Sequence, residues 1–213
     1  MNKKTQTIVG VGIFTAIVVV LQLLGSFIKF GTFSVSLVLI PIIVGTALYG
    51  LGAGAWLGLA FGITVLASGD AAPFLAVNPV GTFITVLAKG ALAGLAAGAI
   101  YRLLEKKNKM LATICAGVAA PVTNTGIFLI GCLIFFMPTI NEWAKAAGME
   151  NAGKFMIVGL VGLNFVFELV INLVLSSVIV KLISLGKKTN NDNSNKKTIT
   201  IDIDGNVDDI TVE

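Results

Sequence analysis

Apolar residues run along this chain in six blocks, at about 8–28, 34–48, 50–66, 78–102, 110–136 and 155–185, parted by short polar or glycine-rich breaks. Blocks of this length without strict alternation predict helices, and the shortest breaks force neighbouring helices into antiparallel hairpins. The expected fold is an all-α integral membrane protein, a six-helix bundle. The second block is expected to be broken at Pro41, and the fifth to be interrupted at Pro121 and the polar triplet Thr123, Asn124 and Thr125. The stretch SGDAAPFLAVNP at 68–79 is too rich in turn formers to span anything and is expected to be an ordered loop over a pocket.

The fourth block has two different faces. Gly90, Gly94 and Gly98 recur every four residues, so one flank is nearly bare and another helix backbone can approach it closely. Gly50, Gly54, Gly58 and Gly62 form a matching ladder through the third block. On the other flank of the fourth block, Asn78, Thr82, Thr85 and Lys89 fall at helical spacing and form a polar stripe ending in a charge. A lysine at the centre of a membrane helix costs about 2.5–3.5 kcal/mol on insertion scales and is rarely left facing lipid. Lys89 is therefore expected to face a cavity or a partner.

A second polar stripe, Asn164, Glu168, Asn172 and Ser176, runs along the sixth block. Amides at this spacing can act as glue between helices, worth about 0.6 kcal/mol each. A carboxylate at that depth is equally a candidate for a ligand-facing wall. In the first block Gly12 and Ala16 form a small-xxx-small pair, which suits either packing within the bundle or docking to another membrane subunit.

Composition reinforces the membrane reading: of 213 residues 56% are hydrophobic and only 12% charged, where soluble domains carry about 25% charged residues. The net charge of +4 is not arranged as a nucleic-acid stripe, because the basic residues sit in short runs beside apolar blocks. They read as topology signals. Arg102, Lys106, Lys107 and Lys109 around a single Glu105 mark a cytoplasmic loop, and counting crossings from it puts both termini inside. The loops at Lys29, Asp70 and 142–154 then face outward. The N-terminal block lacks an early cleavage site and reads as a retained helix. Cys115 and Cys132 lie roughly 25 Å apart along one helix, too far to bond to each other.

The chain divides at about residue 186. Residues 1–186 form the membrane domain and 187–213 a polar cytoplasmic tail, in which NNDNSN is disordered in composition and the segment around Asp204 and Gly205 carries a hairpin signal. The tail misses calcium-loop ligands at both the first and last positions. No phosphate-binding loop is present, there is no histidine, and no nucleophile, base and orienter assemble. No metal, cofactor or enzymatic activity is expected.

The segments SLVLIPIIVGTALYGLGAGAWLG, NPVGTFITVLAKGALAGLAAGAIYRLL and APVTNTGIFLIG, together with the six helices, resemble the substrate-specific S component of energy-coupling factor (ECF) vitamin transporters over about residues 5–185. The resemblance implies a multi-pass cell-membrane subunit in contact with lipid. It would bind a small-molecule vitamin at its outer side and work with a transmembrane coupling subunit and two cytoplasmic ATPase subunits. It assigns Gly12 and Ala16 to the face that meets the coupling subunit. It also places the binding pocket among the outer loops and helices four to six, which adds Asn124, Thr125 and Trp143 to the two polar stripes as candidate ligand contacts. Lys89, with few pocket aromatics expected, favours an anionic, non-aromatic vitamin such as pantothenate. The alternative is a structural or regulatory membrane protein without a small-molecule ligand, and a lone proton-coupled carrier using Glu168 ranks below both.

Overall fold

The computed structural model describes residues 3–27, 29–30, 33–34 and 37–195. Helix α1 (Lys3–Phe27) leads into a two-residue antiparallel pair, β1 (Lys29–Phe30) and β2 (Phe33–Ser34), with Lys29 opposite Ser34. There follow α2 (Leu39–Tyr49), α3 (Leu51–Ala67), the short α4 (Ala72–Val77) and α5 (Pro79–Leu104). Helix α6 (Lys109–Gly131) runs through a π-helical segment, Cys132–Phe136, into α7 (Met137–Ala146). A single turn, α8 (Ala152–Lys154), a second π-helical segment (Phe155–Val161), α9 (Gly162–Val174) and α10 (Ser176–Asn195) complete the described chain.

Among the described residues three helices are long and apolar enough to cross a membrane: Lys4–Ser26, Pro79–Leu104 and the continuous Lys109–Ala146. The pair Ala152–Val161 and Asn164–Val174, bent by 45°, makes a fourth if taken as one span, and α2 and α3 are shorter apolar helices. The bend falls where the π-helical segment ends, a recognised cause of sharp kinks. Residues such as Ile8, Leu103 and Val174 are more than two-thirds exposed on the outside of the bundle, as a lipid solvent allows.

Local chemistry sets several helix starts. Asn78 caps α5, its side-chain oxygen accepting from Gly81 N at 2.9 Å, with Pro79 at the first helical position, where no N–H is needed. Asn108 caps α6 in the same way, accepting from the backbone of Met110 and Leu111. Gly50, at φ +96°, makes the tight turn between α2 and α3 in a region that side chains disfavour.

The two glycine ladders meet. A methyl group added to Gly58 would fall on the carbonyl oxygen of Gly90, one on Gly94 would fall on that of Gly54, and one on Gly62 would come within 2.9 Å of that of Val86. Helices α3 and α5 therefore touch backbone to backbone. Around this seam Leu57, Phe61, Ile42, Ile43, Ile179 and Ile183 form the main apolar core. A second cluster, including Phe136, Ile140 and Met156, joins α7 to the second π-helical segment. At the far end of α5, Lys187 of α10 pairs with Glu105 and lies 5.3 Å from the centre of the Tyr101 ring.

Several expectations need correction. Pro41 lies in the first turn of α2 and does not break it, because α2 starts later, at Leu39, and a first-turn proline forfeits no helical bond. Pro121 sits inside an uninterrupted α6. Trp143 lies on helix α7 and not in a loop, and the sixth block is divided between a π-helical segment, α9 and α10. The asparagine-rich run at 190–195 continues α10 as helix. The expected hairpin around Asp204 lies outside the described residues.

Candidate functional site

A cavity of about 730 Å³ opens on the side of the bundle away from the Arg102–Lys109 loop. Its floor and one wall come from the close-packed pair: Phe61 and Val65 on α3, Val86 and Lys89 on α5. Asn124, Thr125 and Phe128 on α6 and Asn164 and Glu168 on α9 line the cavity as well. The 68–79 segment, expected as a loop over a pocket, supplies Gly69 to Phe74 at the rim and includes α4. Trp143 and the second π-helical segment close the remaining side.

Two chemistries share this space. Phe74 anchors an edge-to-face ring cluster, with centroids 5.5 Å from Phe128, 5.1 Å from Phe136 and 5.4 Å from Trp143. Phe61 and Phe155 add further rings. The Lys89 ammonium lies 5.7 Å from the Phe61 ring centre and 5.4 Å from that of Phe128, so its positive charge is held against π faces.

Polar groups face the rings. Glu168 is only 3% exposed and Asn124 6%, yet Glu168 Oε2 and Asn124 Oδ1 have no hydrogen-bond partner among the described residues, and neither does Asn164 Oδ1. Buried oxygens are rarely left so, because each costs about 1–3 kcal/mol. At the rim, Asp70 Oδ2 accepts from Gln22 Nε2 at 2.8 Å, Ser26 Oγ at 2.5 Å and Ser68 Oγ at 3.1 Å. That carboxylate ties the α3–α4 connection to α1. A cavity of this size, with apolar walls and a few convergent polar groups, has the make-up of a small-molecule site.

The family described as ECF transporter, substrate-specific component, matches residues 6–183. The chain belongs to this family. It is therefore an integral membrane protein and the substrate-specific subunit of an ECF transporter. No curated protein and no solved structure matches the chain. Every cavity residue of the S component lies within the matched span.

Of the residues singled out in the sequence, Lys89, Asn124, Thr125, Trp143, Asn164 and Glu168 come together on this cavity. Four do not. Asn78 caps α5, and Thr82 Oγ1 donates to the Asn78 carbonyl oxygen at 2.8 Å. Thr85 is buried against Gly131, whose missing side chain makes room for it. Asn172 packs over Gly117 of α6. In both stripes the helical spacing is real, but each face is shared between the cavity and a neighbouring helix.

Gly12 and Ala16 lie exposed on α1, with open space around Gly12. Sequence reasoning missed Gln22 and Asp70, although each is a lone polar residue beside an apolar block and could have been flagged on that ground. It also missed the rings. The expectation of few pocket aromatics is overturned by Phe61, Phe74, Phe128 and Phe155, which join the expected Trp143.

Proposed function

We propose that this S component captures a water-soluble vitamin at the outer face of the cell membrane and delivers it inward together with a transmembrane coupling subunit and two cytoplasmic ATPase subunits. The observation that carries the reading is the cavity itself, in which buried polar oxygens without partners face a ring-lined space. Groups in that state are what a tight ligand satisfies on binding. The charge pattern supports an outward-facing mouth: the basic loop after α5 lies at the end of the bundle remote from the cavity, so six crossings with both termini inside bring the cavity rim outside. The ligand contacts are Lys89, Asn124, Thr125, Trp143, Asn164 and Glu168, with Gln22 and Asp70 at the rim.

The exposed Gly12 and Ala16 face of α1 supports docking to the coupling subunit, since small residues let a partner helix approach closely. Of the two grounds for preferring pantothenate, Lys89 lines the cavity as expected, whereas the expected scarcity of aromatics does not hold. Native mass spectrometry of the purified protein tests the central reading. A co-purified small molecule that raises the melting temperature when added back supports it. A protein that carries no small molecule, and supports no uptake when expressed with its coupling and ATPase subunits, contradicts it.

A further inference from the structure

The polar and aromatic groups of the cavity differ enough in kind to specify the chemistry of the occupant. On the α6 and α9 wall, three side-chain oxygens, Asn124 Oδ1, Asn164 Oδ1 and Glu168 Oε2, are buried without a donor. Asn124 and Glu168 are each more than nine-tenths buried and both line the cavity. An oxygen acceptor is satisfied only by an N–H or O–H. Beside them, Lys89 has only donors to offer, and its ammonium rests between the Phe61 ring of α3 and the Phe128 ring of α6 with no hydrogen-bond acceptor among the described residues. A matching molecule thus presents several donors on one side and an acceptor on another.

The charge balance points the same way. Among the described residues, the Lys89 ammonium faces the cavity together with the buried carboxyl of Glu168, while Asp70 at the rim is already engaged by Gln22, Ser26 and Ser68. A simple anion would gain Lys89 but meet Glu168 and leave the three oxygens unsatisfied. The walls decide the body of the molecule. Phe61, Phe74, Phe128, Trp143 and Phe155 line the space, and a planar ring among them can make edge-to-face or offset-stacked contacts worth about 0.5–1.5 kcal/mol each beyond the area buried.

We infer that the cavity binds a flat, ring-bearing ligand whose polar edge offers at least two N–H or O–H donors to Asn124, Asn164 and Glu168 and an acceptor to Lys89. The inference rests on the reading of this cavity as the ligand site and narrows its substrate class. It excludes ring-free anions.

The test uses the purified full chain in detergent and saturation-transfer NMR at millimolar concentration with three probes. Isocytosine is a ring with donors beside an acceptor, pyrimidine is the same ring with two acceptor nitrogens and no donor, and pantothenate is an anion without a ring. Isocytosine is expected to receive saturation most strongly, and Glu168→Gln to weaken its binding about tenfold, a difference of about 1.4 kcal/mol. Asn164→Ala, at a half-buried position, serves if the glutamate variant does not fold, with the same loss expected. Equal signals from isocytosine and pyrimidine would overturn the donor pairing. A signal from pantothenate alone would overturn the ring requirement while leaving the ligand-binding subunit intact, and no signal from isocytosine overturns the inference as a whole. Loss of uptake by the assembled transporter with every substrate is the separate outcome that strikes at the underlying function.

Discussion

Lys89 on α5 and Glu168 on α9 face each other's side of one cavity without forming a direct ion pair among the described residues. Glu168 is buried, and opposite charges sharing a cavity shielded from water are expected to act on one another with little screening. Removing either one leaves the other uncompensated, and a buried charge stripped of its counter-charge is strongly destabilising. Lys89→Ala is therefore expected to lower thermal stability, and the double variant Lys89→Ala, Glu168→Ala to recover part of that loss. The coupling energy from a double-mutant cycle is expected at about 0.5–3 kcal/mol. Strictly additive losses would mean that the two groups do not sense each other.

The seam between α3 and α5 and the open face of α1 predict opposite responses to the same kind of change. Gly90→Val places atoms on the Gly58 carbonyl and is expected to cost about 1–3 kcal/mol or prevent folding. Gly12→Val meets nothing and should leave the melting temperature and ligand affinity unchanged. Its expected effect is lost co-purification with the coupling subunit. Retained assembly in the Gly12 variant would remove α1 from the docking surface.

Asp70 collects donors from Gln22, Ser26 and Ser68, so Asp70→Ala frees the rim from α1. Hydrogen bonds to a charged group contribute about 1.5–3 kcal/mol each when buried, and less at this half-exposed position. The expected result is a ligand affinity lower by about tenfold, with faster amide exchange confined to residues 68–77. Exchange that is unchanged there would show that the rim is held by packing alone.

At the other end, Lys187 and the residues beyond it have separable roles. Truncation after Lys188 keeps the Lys187–Glu105 pair and is expected to leave ligand binding unaffected, because the cavity opens at the opposite end of the bundle. Lys187→Ala breaks the pair and its contact with Tyr101, and should cost up to about 1 kcal/mol, as partly exposed pairs do. A truncated protein with weakened binding would put the tail near the cavity.

What could be read from the sequence follows from what periodicity measures. The glycine ladders imply a close helix pair because a missing side chain has only one consequence in a membrane: two backbones can meet. The polar positions Lys89, Asn124, Thr125, Asn164 and Glu168 stand out against an apolar background, and they converge on one cavity. Phenylalanines do not stand out there. Phe128 in the cavity and Phe83 on the outside look alike in sequence, since lipid and protein interior are equally apolar. Nor does spacing reveal where a helix leaves its regular turn, which is why the π-helical segments at 132–136 and 155–161 were unforeseen.

The backbone contact between Gly58 and Gly90 has one further consequence for how the cavity adapts to its contents. With backbone against backbone at this seam, rotamer changes have little part in it, and Phe61, Val65, Val86 and Lys89 all stand on the same close-packed helix pair. The facing side hangs on a π-helical turn, a 45° bend and the rim segment held by Asp70. By analogy with a calliper, substitutions on the close-packed pair are expected to alter which molecule is accepted, and substitutions at the bend or the Asp70 rim to alter how fast it comes and goes.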